Sequence, residues 1–198
     1  MDTEPRPAPP ETWISVDVET SGPAPGVASL LSIGAQVLWR PDQTFSVELR
    51  PLPGTVWIET AQDVHGLTRD YLDEHGLEPR EAMTRFADWI GALPTVANGA
   101  RPVFVGFNAP FDWMFVADYF WRFTGANPFG VSALDIKSLY LGRAWPEVSA
   151  WVDTTRTKIL ARHPRLTGDP LSHDALDDAR QQAELLERLL DAANPSDG

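Results

Sequence analysis

The sequence contains no cysteine, which excludes a disulfide framework, a thiolate metal site and a cysteine nucleophile. Positive charge is also scarce, since 16 Lys and Arg face 28 Asp and Glu and the formal net charge is -12. Such a chain lacks the broad basic field of proteins that coat long nucleic acids, so any polyanion must be held locally or through metal. No apolar run approaches the ~18 to 20 residues of a membrane span, and the N-terminus has no basic and apolar leader. We therefore expect a cytoplasmic protein that does not bind membranes.

The length of 198 residues fits one folded domain. Residues 1–12 are acidic and rich in proline, and residues 194–198 form a polar tail, so we expect both ends to be poorly ordered. Residues 13–193 show no internal repeat and no Ser/Gly linker, and we expect them to form the single domain.

Hydrophobic periodicity predicts five strands and three helices in the order β-β-β-α-β-α-β-α. The predicted strands are residues 13–19, 30–38, 45–49, 101–107 and a short one near 134–135. The predicted helices are residues 81–93, 110–123 and 176–193, the last with an apolar stripe that includes Leu176, Ala179, Ala183, Leu186 and Leu190. This order indicates an α/β fold in which a three-strand meander joins later strands in one mixed central sheet flanked by helices.

Two acidic residues share one face of the first predicted strand. Asp17 and Glu19 are two residues apart and point to the same side, while Val16 and Val18 point to the other. Crowded carboxylates cost free energy unless a proton or cation compensates, so the pair favours a divalent metal site. Considered alone, a solvated strand end is the simpler interpretation.

Further acids stand at the starts of two predicted helices. Asp112 lies in a first helical turn, where the helix dipole alone is a sufficient reason for an acid. In the last helix, helical geometry puts Asp178 at the edge of the apolar stripe and turns Asp177 toward water. We expect His173 to precede the regular part of that helix.

The residue types and the order of these clusters resemble the DEDDh 3′–5′ exonuclease superfamily, which includes proofreading exonucleases and ribonuclease T. The resemblance spans residues 13 to about 190 and implies a ribonuclease H-like fold. It rests on five segments: Val16-Asp17-Val18-Glu19-Thr20, Ser32-Ile33-Gly34-Ala35, Val64-His65-Gly66-Leu67-Thr68, Phe107-Asn108-Ala109-Pro110-Phe111-Asp112 and His173-x-Ala175-x-x-Asp178-Ala179.

The resemblance implies that Asp17, Glu19, Asp112 and Asp178 hold two divalent metal ions, Mg²⁺ or Mn²⁺. It also implies that His173 takes a proton from the attacking water, a task suited to histidine, which titrates near neutral pH. The implied reaction is metal-dependent hydrolysis of single-stranded or short RNA or DNA from the 3′ end, with release of nucleoside 5′-monophosphates. Implied substrate contacts are Thr20, His65, Asn108 and Phe111.

Two features bear on the substrate. Many relatives have His-Asn where this chain has Phe107-Asn108, which leaves the substrate type open. Residues 154–168 contain no acid but four basic residues, and we expect Arg162 and Arg165 among them to guide the substrate backbone. A solvated loop whose basic residues balance nearby acids explains this segment equally well.

Two other functions remain open. A catalytically silent nuclease-like module would bind a nucleic-acid end or a protein partner, but the presence of all four acids and the histidine favours an active enzyme. A metal-dependent hydrolase of a phosphorylated small molecule would cleave model phosphodiesters without shortening an oligomer stepwise. The choice between RNA and DNA depends on a contact to the 2′-hydroxyl. A homodimer is also open, because several relatives are homodimers.

Overall fold

The computed structural model describes residues 10–163 and 172–191. Arg165, most of the N-terminal segment and the tail at 194–198 lie outside these ranges. The strands are β1 (Glu11–Thr20), β2 (Leu30–Val37), β3 (Arg40–Glu48), β4 (Arg101–Gly106) and β5 (Ala133–Asp135). The helices are α1 (Glu59–His65), α2 (Arg69–His75), α3 (Pro79–Ala92), α4 (Pro94–Ala97), α5 (Ala109–Phe123), α6 (Ile136–Arg143), a 3₁₀ turn (Trp151–Thr154), α7 (Arg156–Arg162) and α8 (Ala175–Asp191).

The five strands form one mixed sheet in the order β3-β2-β1-β4-β5. β1 pairs antiparallel with β2, and β2 with β3, which confirms the predicted meander. β4 is parallel to both β1 and β5, as expected for strands that follow helical crossovers. The predicted α/β architecture is therefore confirmed.

β1 begins earlier than the sequence predicts. Glu11 and Thr12 already pair with Arg101 and Pro102 of β4, and the Glu11 carboxylate accepts a hydrogen bond of 2.6 Å from the Arg101 guanidinium. Residues 11 and 12 therefore belong to the sheet, and the expectation of disorder up to residue 12 is wrong for them. The neighbouring strand supplies this order, and local composition does not reveal it.

Each face of the sheet buries its own apolar cluster. Val16 and Val18 of β1 pack with α3 and α5, where Phe86 and Phe115 are fully buried. On the other face, α6, α7 and α8 bury side chains such as Leu186 against β4. Burial of a large apolar side chain contributes about 1.5–3 kcal/mol, so these two layers fix where the strand ends lie.

The buried face of α8 is rotated from its predicted position. Asp178 and Gln182 are buried, whereas Leu176 and Leu190 are only half-buried. Asp177 is exposed, as predicted. The prediction assumed that apolar side chains alone define the buried face, but here two polar side chains take part in it.

Six tryptophans outside the motifs are expected on general grounds to pack in the core. Four of them are instead about half exposed or more, with exposed fractions of 48% for Trp39, 55% for Trp121, 61% for Trp145 and 49% for Trp151. Trp89 does pack, against Phe45 and Phe86. The exposed tryptophans lie at turns or on the outer side of α5, where no second layer covers them. Among the helices described, none is long and apolar enough to cross a membrane.

Candidate active site

The end of β1 carries the first two predicted site residues on the side of the sheet that faces α8. Asp17 and Glu19 lie opposite Gly34 and Ser32 of β2. β1 pairs with β4 from Glu11 to Ser15, so the last residues of β1 extend beyond the hydrogen-bonded part of these two strands. The start of α5 meets this part of the strand, where the Asp112 carboxylate accepts a hydrogen bond of 3.2 Å from the backbone N–H of Val18.

A tight turn between β4 and α5 delivers Asp112. Asn108 has a φ of 67°, in the left-handed region, and Pro110 occupies the first turn of α5, where a proline costs no hydrogen bond. The carboxylate of Asp135 accepts from the backbone N–H of Ala109 at 3.0 Å and from that of Ser138 at 2.9 Å. Asp135 therefore ties the starts of α5 and α6 together.

The start of α8 brings in His173 and Asp178. His173 precedes the helix with a φ of 58°, and the Asp174 carboxylate caps it by accepting from the N–H groups of Leu176 and Asp177. The backbone N–H of Ser172 donates to Asp178 at 3.1 Å, and Asp178 is only 3% exposed. The sequence puts Asp178 at the edge of the buried face, and this loop contact completes its burial.

Gly34 allows α8 to start this close to the sheet. A Cβ atom at Gly34 would lie 2.1 Å from the carbonyl carbon of Ala175. Only glycine permits such an approach of one backbone to another. Because Gly34 is the neighbour of Asp17 across β1 and β2, the close contact sets α8 directly beside the acidic strand end.

The donor atoms present fit a divalent metal ion. Glu19, His173 and Asp178 each offer one ligand atom, and these three atoms lie within 4.8 Å of one another. Carboxylate oxygens are the ligands that Mg²⁺ and Mn²⁺ prefer. Asp112 lies close enough to Glu19 and to Asp17 for its charge to raise the pKa of both, and the charge of Glu19 also raises the pKa of Asp17.

All four carboxylates have raised pKa values. Burial is the largest cause for each, and it raises the pKa of Glu19 and of Asp112 to about 8. Burial, followed by the charges of Asp112, Glu19 and Asp178, raises the pKa of Asp17 well above its usual range. The pKa of Asp178 is raised less clearly, because the Ser172 N–H and the nearby His173 oppose burial. A bound cation would relieve these repulsions.

One polar residue of the site has no counterpart in the sequence motifs. Gln182 is buried on α8, its amide nitrogen donates to Asp17, and its amide oxygen accepts from the backbone N–H of Phe107 at 2.9 Å. Its spacing of four residues from Asp178 puts it on the same face of the helix, and this spacing is the signal that could have identified it.

His65 also lies beside the acidic group. Its Nδ1 accepts from the backbone N–H of Leu67 at 3.0 Å, so the neutral ring carries its proton on Nε2. Burial lowers the pKa of His65, and the nearby His173 lowers it further. A cleft of about 150 Å³ is lined by Glu19, His65, His173 and other polar residues.

The remaining predicted substrate contacts differ in their surroundings. The hydroxyl of Thr20 donates to the Gly22 carbonyl at 2.9 Å. The ring of Phe111 is half-buried against the core and stands 5.5 Å from that of Phe115. Asn108 is exposed at the turn, and Arg162 is exposed at the end of α7.

Two other basic residues of the segment that contains Arg162 have partners within the chain. Lys158 pairs with Asp153 at 2.8 Å, and Arg156 donates to Gln181 at 2.6 Å. These contacts fit the alternative interpretation, in which the basic residues of the segment interact with neighbouring side chains of the protein and not with a substrate.

A family model described as an exonuclease of the RNase T type matches residues 14–186. The chain belongs to this family and is a 3′–5′ exonuclease, with the fold of a DEDDh nuclease domain. The chain is 47% identical over 183 residues to the 3′–5′ DNA exonuclease Cap18 of Escherichia coli, and the match covers 91% of this chain and 92% of that protein.

Solved structures show the same fold at low sequence identity. The nuclease domain of 3′hExo, a DEDDh family member bound to rAMP, matches with a TM-score of 0.70 at 18% identity and covers 92% of each chain. Exonuclease I of E. coli in complex with a dA16 oligonucleotide matches with a TM-score of 0.64 at 17% identity, over 92% of this chain and 42% of that one. The cell-death related nuclease CRN-4 matches with a TM-score of 0.68 at 19% identity, over 93% of this chain and 65% of that one. This chain thus spans less than two thirds of the last two proteins.

Proposed function

We propose that Asp17, Glu19, Asp112 and Asp178 hold two divalent ions, Mg²⁺ or Mn²⁺, for the hydrolysis of phosphodiester bonds. The observation that carries this proposal is the convergence of four carboxylates with raised pKa values at one sheet end. None of the Lys and Arg ion pairs in the described part of the chain includes any of the four. Two such ions, when bound, stabilise the attacking and leaving oxygens of an in-line displacement.

The protein groups have separate tasks in this proposal. The carboxylates bind and orient, and Asp112 is held for that task by the Val18 N–H. His173 takes the proton of the attacking water, because its ring nitrogen lies within 4.8 Å of ligand atoms of Glu19 and Asp178. The products are a nucleoside 5′-monophosphate and a strand shortened by one residue at its 3′ end.

The proposed substrate is single-stranded or short DNA, with RNA as the alternative. DNA is favoured because the relative with 47% identity is named a DNA exonuclease. A chain with a net charge of -12 neutralises few phosphates, which favours short strands or frayed ends over long duplexes. By resemblance, we place Thr20 and His65 near the terminal nucleotide, with Asn108 and Phe111 close by. Arg162 and Arg165 as guides of the strand, a homodimer and a cytoplasmic location stay predictions.

A shortening assay tests this function. Purified protein is incubated with 5′-labelled single-stranded DNA and RNA 12-mers in Mn²⁺, Mg²⁺ or chelator, alongside Asp17→Asn. We expect a ladder that shortens from the 3′ end with DNA, and its loss in chelator and in the variant. Intact oligomers that are nevertheless bound would support the silent module. Cleavage of a model phosphodiester without a ladder would support a small-molecule hydrolase.

Gln182 is expected to act as a positioning residue for Asp17. In Gln182→Met, which keeps the volume but loses both hydrogen bonds, we expect the Mn²⁺ concentration for half-maximal activity to rise about 10–100-fold. Mn²⁺ binding measured by calorimetry should weaken by a similar factor. Gln181→Met, one residue along the same helix, is the matched control and should keep the wild-type Mn²⁺ affinity. Unchanged Mn²⁺ affinity in Gln182→Met would show that the hydrogen bond from Gln182 to Asp17 does not contribute to metal binding.

A further inference from the structure

A lysine and a half-exposed tryptophan stand beside the turn that carries Asp112. Lys137 lies in the first turn of α6, with its Nζ 3.3 Å from the side-chain oxygen of Asn108 and 4.3 Å from the centre of the Trp151 ring. Asn108 is exposed and Trp151 is 49% exposed. The three side chains form a small surface of an amide, an ammonium group and an indole, which we call the Lys137 surface.

The Lys137 surface is fixed relative to the acidic group. Asp135 accepts hydrogen bonds from the first turns of both α5 and α6, so the helix start that carries Lys137 is bonded to the helix start that carries Asp112. Asn108 itself lies four residues before Asp112, in the same turn. A strand that leaves the carboxylates along the turn before α5 would pass close to Lys137.

Within residues 10–163 and 172–191, Lys137 forms no ion pair. The contacts of its ammonium group in these ranges are to a neutral amide and an aromatic ring. A cation–π contact of this kind leaves the ammonium group able to bind an anion. An acidic chain that keeps such a cation at the turn leading to Asp112 has a suitable contact for phosphate, and the neighbouring indole suits a base.

We propose that the Lys137 surface binds single-stranded nucleic acid on the 5′ side of the scissile bond, with Lys137 on a phosphate and Trp151 against a base. The proposal rests on the exonuclease function, in which the 3′-terminal nucleotide lies at the carboxylates. The remainder of the strand then lies on the 5′ side, and any second contact is to that part. Stacking tolerates every base, so the surface adds affinity without sequence preference.

Two substrates separate this contact from catalysis. The p-nitrophenyl ester of thymidine 5′-monophosphate has no upstream nucleotide, whereas (dT)8 does. We expect Trp151→Ala to raise KM for (dT)8 about tenfold with little change in kcat, and to leave hydrolysis of the ester unchanged. Trp151→Phe should restore most of the affinity. Lys137→Gln should raise KM for (dT)8 and reduce the slope of log KM against log salt by about 0.7.

The other end of the sheet offers a matched control. Trp39 is 48% exposed in the turn between β2 and β3, and Arg40 begins β3 at the end of the sheet opposite the carboxylates. Trp39→Ala and Arg40→Gln remove an indole and a cation there and should behave as wild type with both substrates. If Trp151→Ala and Lys137→Gln match these controls on (dT)8, the surface does not bind the strand, and Trp151 is then a candidate for contact with a protein. If wild-type protein cleaves neither substrate, the proposed function itself fails.

Discussion

Gly34→Ala is expected to lower both the melting temperature and the activity. The new Cβ atom would meet the backbone of Ala175 at 2.1 Å, so the start of α8 must move away from β2. Overpacking of this kind costs about 1–3 kcal/mol, which corresponds to a fall of about 2–12 °C in the melting temperature of a domain of this size. His173 and Asp178 move with the helix, and a displacement of about 1 Å can cost about 100-fold in rate.

Gly91→Ala is the matched control for this substitution. Gly91 lies in α3, and a Cβ atom there meets nothing within 4 Å. Alanine is the better helix former, so this variant should be at least as stable as wild type and fully active. Melting curves and the rate of shortening of a DNA 12-mer measure both effects. Wild-type stability and rate in Gly34→Ala would show that α8 does not depend on this approach.

Asp112→Asn is expected to change activity and stability in opposite directions. Asparagine keeps an oxygen that can accept from the Val18 N–H, but the buried negative charge is lost. Loss of a carboxylate that we propose binds metal should reduce the exonuclease rate by more than about 100-fold, since even partners outside the ligand shell are worth about 10–100-fold. At pH 8 without metal, the variant should melt several degrees above wild type, because burial and nearby charges penalise the carboxylate.

The pH dependence of the metal-free wild-type protein follows from the same groups. The pKa of Asp112 is raised from 3.8 to about 8, and that of Glu19 from 4.5 to about 8. Between the ordinary pKa values and the raised ones, the unfolded chain has lost protons that the folded chain keeps. The free energy of unfolding therefore falls as pH rises from about 4 to about 8, and then levels off. Melting in EDTA should show this fall, and Asp112→Asn should flatten it. A melting temperature that rises over this range would contradict the raised pKa values.

The sequence predicts the five strands and helices α3, α5 and α8 because each has a local signature, whereas it does not predict the shorter helices. The four acids are brought together only by the resemblance to a known superfamily. Alternation marks β1, and a proline in the first turn marks the start of α5. The predictions fail where contacts with a segment far away in the sequence determine whether a residue is ordered or buried. Arg101 orders the start of β1, Ser172 completes the burial of Asp178, and Gln182 becomes buried through Phe107 and Asp17. The exposure of Trp151 is of the same kind, because it depends on which faces the helices leave uncovered.

The hydrogen bond from Val18 to Asp112 affects how freely the sequence can diverge at that position. The donor is a backbone N–H, and a backbone donor is independent of the side chain that it carries. Evolution can therefore exchange Val18 for other apolar residues that fill the core without disturbing the position of Asp112. Proline is the exception because it has no N–H, so this substitution would remove the donor between the two acids at the end of β1.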